Sequence, residues 1–152
     1  MSKINKLVAI AAMFVSFNVF ANGWQLDREG CFAVTPIHFT DGSKGEYTLT
    51  SINQSYVLVM QGDEWNLPAF GHLVGRAAFT NRHSTPVDIH YVTSNRVMVR
   101  FPVNTLNRAA IISSRAVDIY LEDGSSFMTF TMFGADKVIP GIEQCIKTAR
   151  IQ

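Results

Sequence analysis

The residues best suited to chemistry lie in one short segment, residues 83–90, which reads HSTPVDIH. Side chains two positions apart on a β-strand point to the same face, so Asp88 and His90 are expected side by side. With His83 or His72 nearby, they would supply the nitrogen and carboxylate donors that zinc favours. No metal-ligand spacing pattern stands out, however. A solvated strand face with one acid and one imidazole is therefore the favoured interpretation.

Ser84, Asp88 and His90 are also the residue types of a serine hydrolase, which needs a nucleophile, a base and an orienting acid. The sequence lacks the GxSxG turn that commonly presents such a nucleophile. Small β-domains contain triples of this kind by chance. We therefore assign no catalytic residue, metal ligand or cofactor, and keep His83, Asp88 and His90 as a polar cluster.

A second candidate site is the stretch at residues 62–70, GDEWNLPAF, which is expected to be a loop. Its aromatic residues Trp65 and Phe70 stand beside the acids Asp63 and Glu64, a mixture typical of protein-interface hot spots. The alternative is that Trp65 folds back over the core, since large aromatic side chains are mostly buried. These four residues are predicted to bind a partner protein.

The composition excludes some partners and favours a single folded domain. The 152 residues are 47% hydrophobic and 16% charged, which indicates a globular core and not a disordered chain. The formal net charge is +1 and no basic patch is visible, so nucleic acid is not an expected partner.

The first 21 residues have the pattern of a secretory signal peptide. Lys3 and Lys6 precede an uncharged apolar run at residues 7–20, and Val19 and Ala21 are small residues at the −3 and −1 positions of a cleavage site. The run is short for a membrane span, which needs about 20 apolar residues. We expect cleavage near Ala21, a periplasmic or secreted protein at residues 22–152, and no stable membrane anchor afterwards.

Export gives the two cysteines a role. Cys31 and Cys145 would meet an oxidising compartment, where two cysteines usually pair within the chain. Two buried free thiols or an intermolecular bond are the alternatives. No CxxC motif is present, so the expected bond is structural and not a redox centre.

The periodicity predicts an all-β fold with one C-terminal helix. About eight short antiparallel strands, with turns every 8–12 residues, indicate a sandwich or a barrel. The first strand is placed at residues 31–39, where Pro36 suggests an edge or a bulge. Residues 71–81 are expected to form one strand bent at Gly75, and residues 86–92 and 96–103 a hairpin.

Three features are expected near the end of the chain. Residues 104–114 are ambiguous between a helical turn and a loop that packs on the core. The Asp123-Gly124 pair predicts a tight hairpin between residues 117–121 and 127–133. Apolar residues then recur at helical spacing, and Pro140 restricts the helix start to residues 137–139, because proline suits only the first turn.

This terminal segment resembles the end of invasion-associated locus B proteins. The resemblance rests on the strand at residues 117–121, the Asp123-Gly124 turn, the strand at residues 127–133 with Gly134 after it, and the helix at residues 138–146. It covers about a quarter of the chain, and the closely spaced second cysteine pair associated with the family is missing. The resemblance implies a small, exported, β-rich, non-enzymatic protein and transfers no functional residue.

Three functional hypotheses follow. The first is an exported, non-catalytic binding protein whose partner is another envelope protein or an exported enzyme. The second is an inhibitor or immunity protein that blocks an exported enzyme or toxin through residues 62–70. The third is a small periplasmic hydrolase or metal-binding protein that uses Asp88 and His90.

Overall fold

The computed structural model describes residues 24–38, 43–67, 71–132 and 134–151. In this part of the chain, nine antiparallel strands form one sheet that curls into a half-barrel, and two helices accompany it. The strands are β1 (Gln25–Asp27), β2 (Phe32–His38), β3 (Lys44–Ile52), β4 (Ser55–Gly62), β5 (Gly71–Phe79), β6 (Ser84–Thr93), β7 (Arg96–Pro102), β8 (Ala116–Leu121) and β9 (Ser126–Thr131). The helices are α1 (Thr105–Ser113) and α2 (Ala135–Ile151).

The strand order is β1-β2-β3-β4-β7-β6-β5-β8-β9. Strands β1 to β4 form a meander, and β5 to β7 form a second meander that joins the first through β7. The hairpin of β8 and β9 then pairs with β5. Two non-local pairings, β4 with β7 and β5 with β8, therefore unite three pieces that are each local in sequence.

The inner, concave face of the sheet carries the core. Alternation along strands such as β3, β6 and β7 sends one set of side chains inward, whereas β9 is buried on both faces. The largest side chains with almost no exposure are Tyr47, Leu49, Tyr56, Leu58, Met60, Ile89, Ile111, Ile119, Phe127 and Phe130. The Tyr47 hydroxyl donates to the Thr129 carbonyl at 3.1 Å, so a β3 side chain reaches across the interior to the far edge strand β9.

Helix α2 covers this core and is held at two places. Val138, Ile139 and Ile142 are buried against the sheet, and Cys145 forms a disulfide with Cys31 in the turn between β1 and β2. The predicted bond between the two cysteines is confirmed. The last helix is therefore fixed to the beginning of the sheet.

The two helices are joined by an ion pair at the surface. The Arg108 guanidinium donates to both carboxylate oxygens of Glu143 at 2.8 Å, and this hydrogen bonding raises the pKa of Arg108. Both side chains are about two-fifths exposed. Solvent screening limits such pairs to about 1 kcal/mol or less, so the pair orients α1 on α2 more than it stabilises the fold.

The predicted fold class is confirmed, and the structure defines the positions of several strands and hairpins more exactly than the sequence did. The sheet is single, so the barrel-like alternative applies and the chain does not form two facing sheets. Gly71–Phe79 is one strand, and hairpins occur where Asp123-Gly124 and residues 94–95 predicted them. Among the described residues, Val34 is the last β2 residue paired with β1, and Pro36 lies two positions beyond it.

One open alternative is decided and two expectations need correction. Residues 104–114, left open between a helical turn and a loop, contain a nine-residue helix, α1, capped by the Asn104 side chain, which accepts from the Asn107 N–H. Residues 25–27 form a short strand ahead of residues 31–39, where the first strand was placed. Helix α2 begins at Ala135, so Pro140 lies in its second turn. Proline there removes one backbone hydrogen bond and crowds the carbonyl of Asp136, and burial of Val138, Ile139 and Ile142 offsets this cost.

Residues 1–21, the predicted signal segment, lie outside the described residues. No helix in the described ranges is long and apolar enough to cross a membrane.

The buried tyrosines predict how the fold responds to alkali. Burial raises the pKa of Tyr47, Tyr56 and Tyr91 above the ordinary value. A raised folded-state pKa means that the stabilisation is fully present below about pH 10 and is lost as pH rises through the folded-state value. In an alkaline titration, tyrosinate absorbance from these three residues should rise together with the loss of the sheet's circular dichroism. Complete ionisation of a still-folded protein would contradict this.

Candidate functional site

The polar residues predicted to do chemistry lie on the outer, convex face of β5 and β6. His72 and His90 are directly opposite each other across the two strands, and their rings stack with centroids 4.5 Å apart. The His72 Nε2 atom lies 3.1 Å from an Asp88 carboxylate oxygen. Asp88 and His90 therefore share a face as predicted, and the third member of the group is His72.

His83 does not join this group. Its Nε2 atom pairs with the Asn107 side-chain oxygen at 2.7 Å, and the Asn107 amide donates to the Pro102 carbonyl at 2.7 Å. Asn107 lies on the buried side of α1, so these two bonds satisfy the hydrogen-bonding groups of a buried polar side chain. His83 thus contributes to the start of the helix. Its nearness in sequence to Asp88 does not carry over to the folded sheet.

Ser84 is also separated from Asp88, the possible orienting acid of a triad. Its hydroxyl accepts a hydrogen bond from Arg76 at 3.0 Å. Four residues of extended strand place the Cα atoms of Ser84 and Asp88 about 13 Å apart, beyond hydrogen-bond reach. The residue types of a serine hydrolase therefore do not form a triad here.

The cluster also falls short as a metal centre. Within the described ranges, no group of three or more histidine, cysteine, aspartate or glutamate side chains could hold a metal ion. His72 and Asp88 are each more than half exposed, and such an exposed pair contributes about 1 kcal/mol or less. His72, Asp88 and His90 thus form a polar cluster on the outer face of the sheet.

A groove of about 540 Å³ lies next to this cluster on the outer face; we call it the Arg100 groove. Arg100 on β7 lies directly opposite Asp88 on β6 and Val57 on β4. The turn at Asn53 and Gln54 closes one end of the groove, and the lining mixes polar and apolar side chains. The lining is Asn53, Gln54, Ser55, Val74, Pro86, Val87, Asp88, Arg100, Phe101 and Pro102.

A second recess of about 420 Å³, the Phe32 groove, crosses the outer faces of β2, β3, β4 and β7. Phe32, Val59 and Met98 supply much of its apolar surface. Its arginine, Arg96, donates to the Gln61 side-chain oxygen from two nitrogens, at 3.2 and 2.7 Å. The guanidinium in this groove is thus already paired within the protein.

The loop predicted to bind a partner is partly folded onto the body of the protein. Trp65 is partly buried and packs against the core, with its ring directly over Gly62. The Leu67 N–H donates to the Ser94 carbonyl and fixes the loop to the β6–β7 turn. Asp63 and Glu64 remain exposed, and Phe70 lies outside the described residues. The interpretation of Trp65 as a cap on the core agrees with this placement.

Sequence reasoning missed Arg100 and the groove around it. Arg100 alternates with the buried Val99 and Phe101 along β7, but the neighbours β4 and β6 were needed to make a recess. The pairing of β4 with β7 is non-local, and no turn signal encodes it. One usable hint was the exposed Val74 between His72 and Arg76, an apolar residue on an otherwise polar strand face.

Comparison of the chain with protein-family models, with curated proteins and with solved structures found no match in any of the three. The resemblance of the terminal segment to invasion-associated locus B proteins therefore stays a prediction. The two grooves on the outer face and the buried side chains on the concave face are the observations that bear on function.

Proposed function

We propose that this chain is an exported, non-catalytic protein that binds another protein through the outer face of its sheet. One observation carries the proposal: among the described residues, buried side chains pack on the concave face beneath α2, whereas two grooves open on the outer face. Curled sheets that bind small molecules usually hold them in an interior cavity. The packing of the described core residues favours recognition on the outside.

Export is supported by the signal-like N-terminal pattern and by the disulfide between Cys31 and Cys145. Such bonds persist in oxidising compartments and are rare elsewhere. The partner is then another envelope protein or an exported enzyme. N-terminal sequencing of the secreted form tests the first step, and a mature chain that begins at Asn22 is the expected result.

Affinity capture tests the binding function. The tagged full-length protein, expressed in its own host and crosslinked in the intact envelope, should recover a partner protein in stoichiometric amount. Met98→Glu should abolish recovery, because Met98 is a partly buried apolar residue that lines the Phe32 groove on the outer face. Gln144→Glu is the control, since it adds the same charge to an exposed position of α2. Equal recovery by both variants, or no partner at all, would contradict the proposal.

The inhibitor alternative depends on a different surface. Asp63 and Glu64 are exposed beside the anchored Trp65, so the loop offers an acidic tip on a fixed base. The same capture with Asp63→Asn and Glu64→Gln combined separates the two surfaces. Loss of the partner in this variant, with retention in Met98→Glu, would favour the inhibitor.

A further inference from the structure

Arg100 is the unusual group on the outer face. Its side chain is partly buried, yet it forms no hydrogen bond or ion pair with any residue in the described ranges. Asp88 lies directly opposite on the neighbouring strand but is turned to His72, 3.1 Å away. By contrast, Arg76 and Arg96 on the same face are each bonded to a neighbouring side chain. Arg100 therefore presents unused donors inside a groove.

We propose that the Arg100 groove binds an acidic side chain on an extended segment of the partner protein. A guanidinium carries five donors in a planar fork that matches a carboxylate, and the two form strong paired hydrogen bonds. The groove wall partly shields these bonds from water, which strengthens them. The inference rests on the proposed function, since it names the chemistry of the partner that the outer face binds.

The walls of the groove favour a protein segment over a free small acid. Val74 is 42% exposed, and Pro86 and Pro102 are exposed together at the end of the groove next to the Asn53-Gln54 turn. Apolar surface flanking one charged group suits a peptide whose neighbouring side chains are apolar. A small ligand is usually enclosed by its pocket and held by several convergent polar groups. Here, among the described residues, the only charged members of the lining are Arg100 and Asp88, and Asp88 is bonded to His72, so Arg100 is the one cation in a groove exposed on the surface of the sheet.

Substitution of Asp88 is expected to affect peptide binding in the opposite direction to substitution of Arg100. The Asp88 carboxylate lies across one strand spacing from Arg100, where directly opposed side chains are about 5 Å apart at Cβ. A ligand carboxylate bound to Arg100 is therefore close to a charge of the same sign. Removal of that charge should strengthen binding, whereas removal of Arg100 should weaken it.

The test uses nuclear magnetic resonance titrations of the disulfide-bonded protein with two peptides, acetyl-Val-Glu-Val-amide and acetyl-Val-Gln-Val-amide. The glutamate peptide should shift the Arg100 Nε–H signal and should bind roughly 10- to 100-fold more tightly than the glutamine peptide. Arg100→Gln should abolish this preference. Asp88→Asn should tighten binding of the glutamate peptide by roughly two- to fivefold.

Arg96→Gln is the matched control. It removes an arginine from the same face, but one whose guanidinium is already hydrogen-bonded to the Gln61 side chain. It should keep the preference for glutamate. Equal binding of the two peptides, no shift at Arg100, or an unchanged preference in Arg100→Gln would each overturn the inference. Acetate that shifts Arg100 as strongly as the peptide at the same concentration would overturn the peptide part and assign the groove to small acids.

These outcomes are separable from failure of the proposed function. A partner lost in Met98→Glu but retained in Arg100→Gln would leave the binding function intact and refute the role of Arg100. A partner that neither variant affects would refute the use of the outer face as a whole.

Discussion

Replacement of Cys31 by serine is expected to lower the free energy of unfolding by about 4–5 kcal/mol under oxidising conditions. The bond to Cys145 spans a sequence separation of 114 residues. Closing so long a loop removes much of the conformational entropy of the unfolded chain, and the chain-entropy model gives this magnitude. That is a large share of the 5–15 kcal/mol typical of a domain. Urea unfolding of the two proteins measures the difference.

Matched variants isolate the bond from other effects of the substitution. Cys145→Ser and the double variant should be destabilised to the same extent as Cys31→Ser, because each loses the same bond. Reductant should destabilise the wild type and leave all three variants unchanged. A wild-type protein that melts identically with and without reductant would refute this role of the disulfide.

The backbone conformation of Cys31 is itself unfavourable, and the serine variant retains this free-energy penalty. The φ angle of Cys31 is +55°, in the left-handed region that is unfavourable for residues with a Cβ. Glycine tolerates this region at no steric cost. Cys31→Gly should therefore be less destabilised than Cys31→Ser, by about 1 kcal/mol.

Substitution of Gly75 by alanine is the other change expected to be severe, at about 3 kcal/mol. Gly75 on β5 lies opposite Leu121 on β8, next to the bulge at Ile119 and Tyr120. A Cβ atom at Gly75 would overlap the backbone carbonyl oxygen of Tyr120. Because that atom belongs to the backbone, relief requires the β5 and β8 strands to separate.

Gly141→Ala is the control for Gly75→Ala. A Cβ at Gly141 would lie 3.0 Å from the end of the partly buried Leu26 side chain, which can move. Alanine also suits a helix better than glycine by about 1 kcal/mol, which offsets the crowding. Urea unfolding should leave Gly141→Ala within about 1 kcal/mol of the wild type. A Gly75→Ala protein of wild-type stability would show that β8 does not need this close approach.

Local signals predicted most of the strands, because each strand and tight turn is encoded by residues next to one another. Asp123-Gly124 forms its hairpin, and Gly124 has the positive φ of +85° that explains why glycine is needed there. The Cys31–Cys145 bond followed from the number of cysteines and the expected compartment. These inferences needed no knowledge of which strands are neighbours.

The sheet order and the candidate site required long-range information. No local pattern shows that β7 inserts next to β4 or that β8 pairs with β5. The Arg100 groove depends on the first of these pairings, so the sequence suggested the Asp88–His90 face but not the recess beside it. The same limit explains why His83 was grouped with Asp88, although the fold places it beneath α1. Helix α1 had a usable signal in the Asn104 cap, which was too short-ranged to decide between helix and loop.

The position of the disulfide also constrains oxidative folding. Cys145 follows all nine strands along the chain, so the bond can form only after the whole sheet has been synthesised. Until then Cys31 is a free thiol. With only two cysteines, the chain has a single possible intramolecular pairing. An oxidase that forms disulfides is therefore sufficient for maturation, and an isomerase that reshuffles mispaired bonds has no intramolecular substrate in this protein.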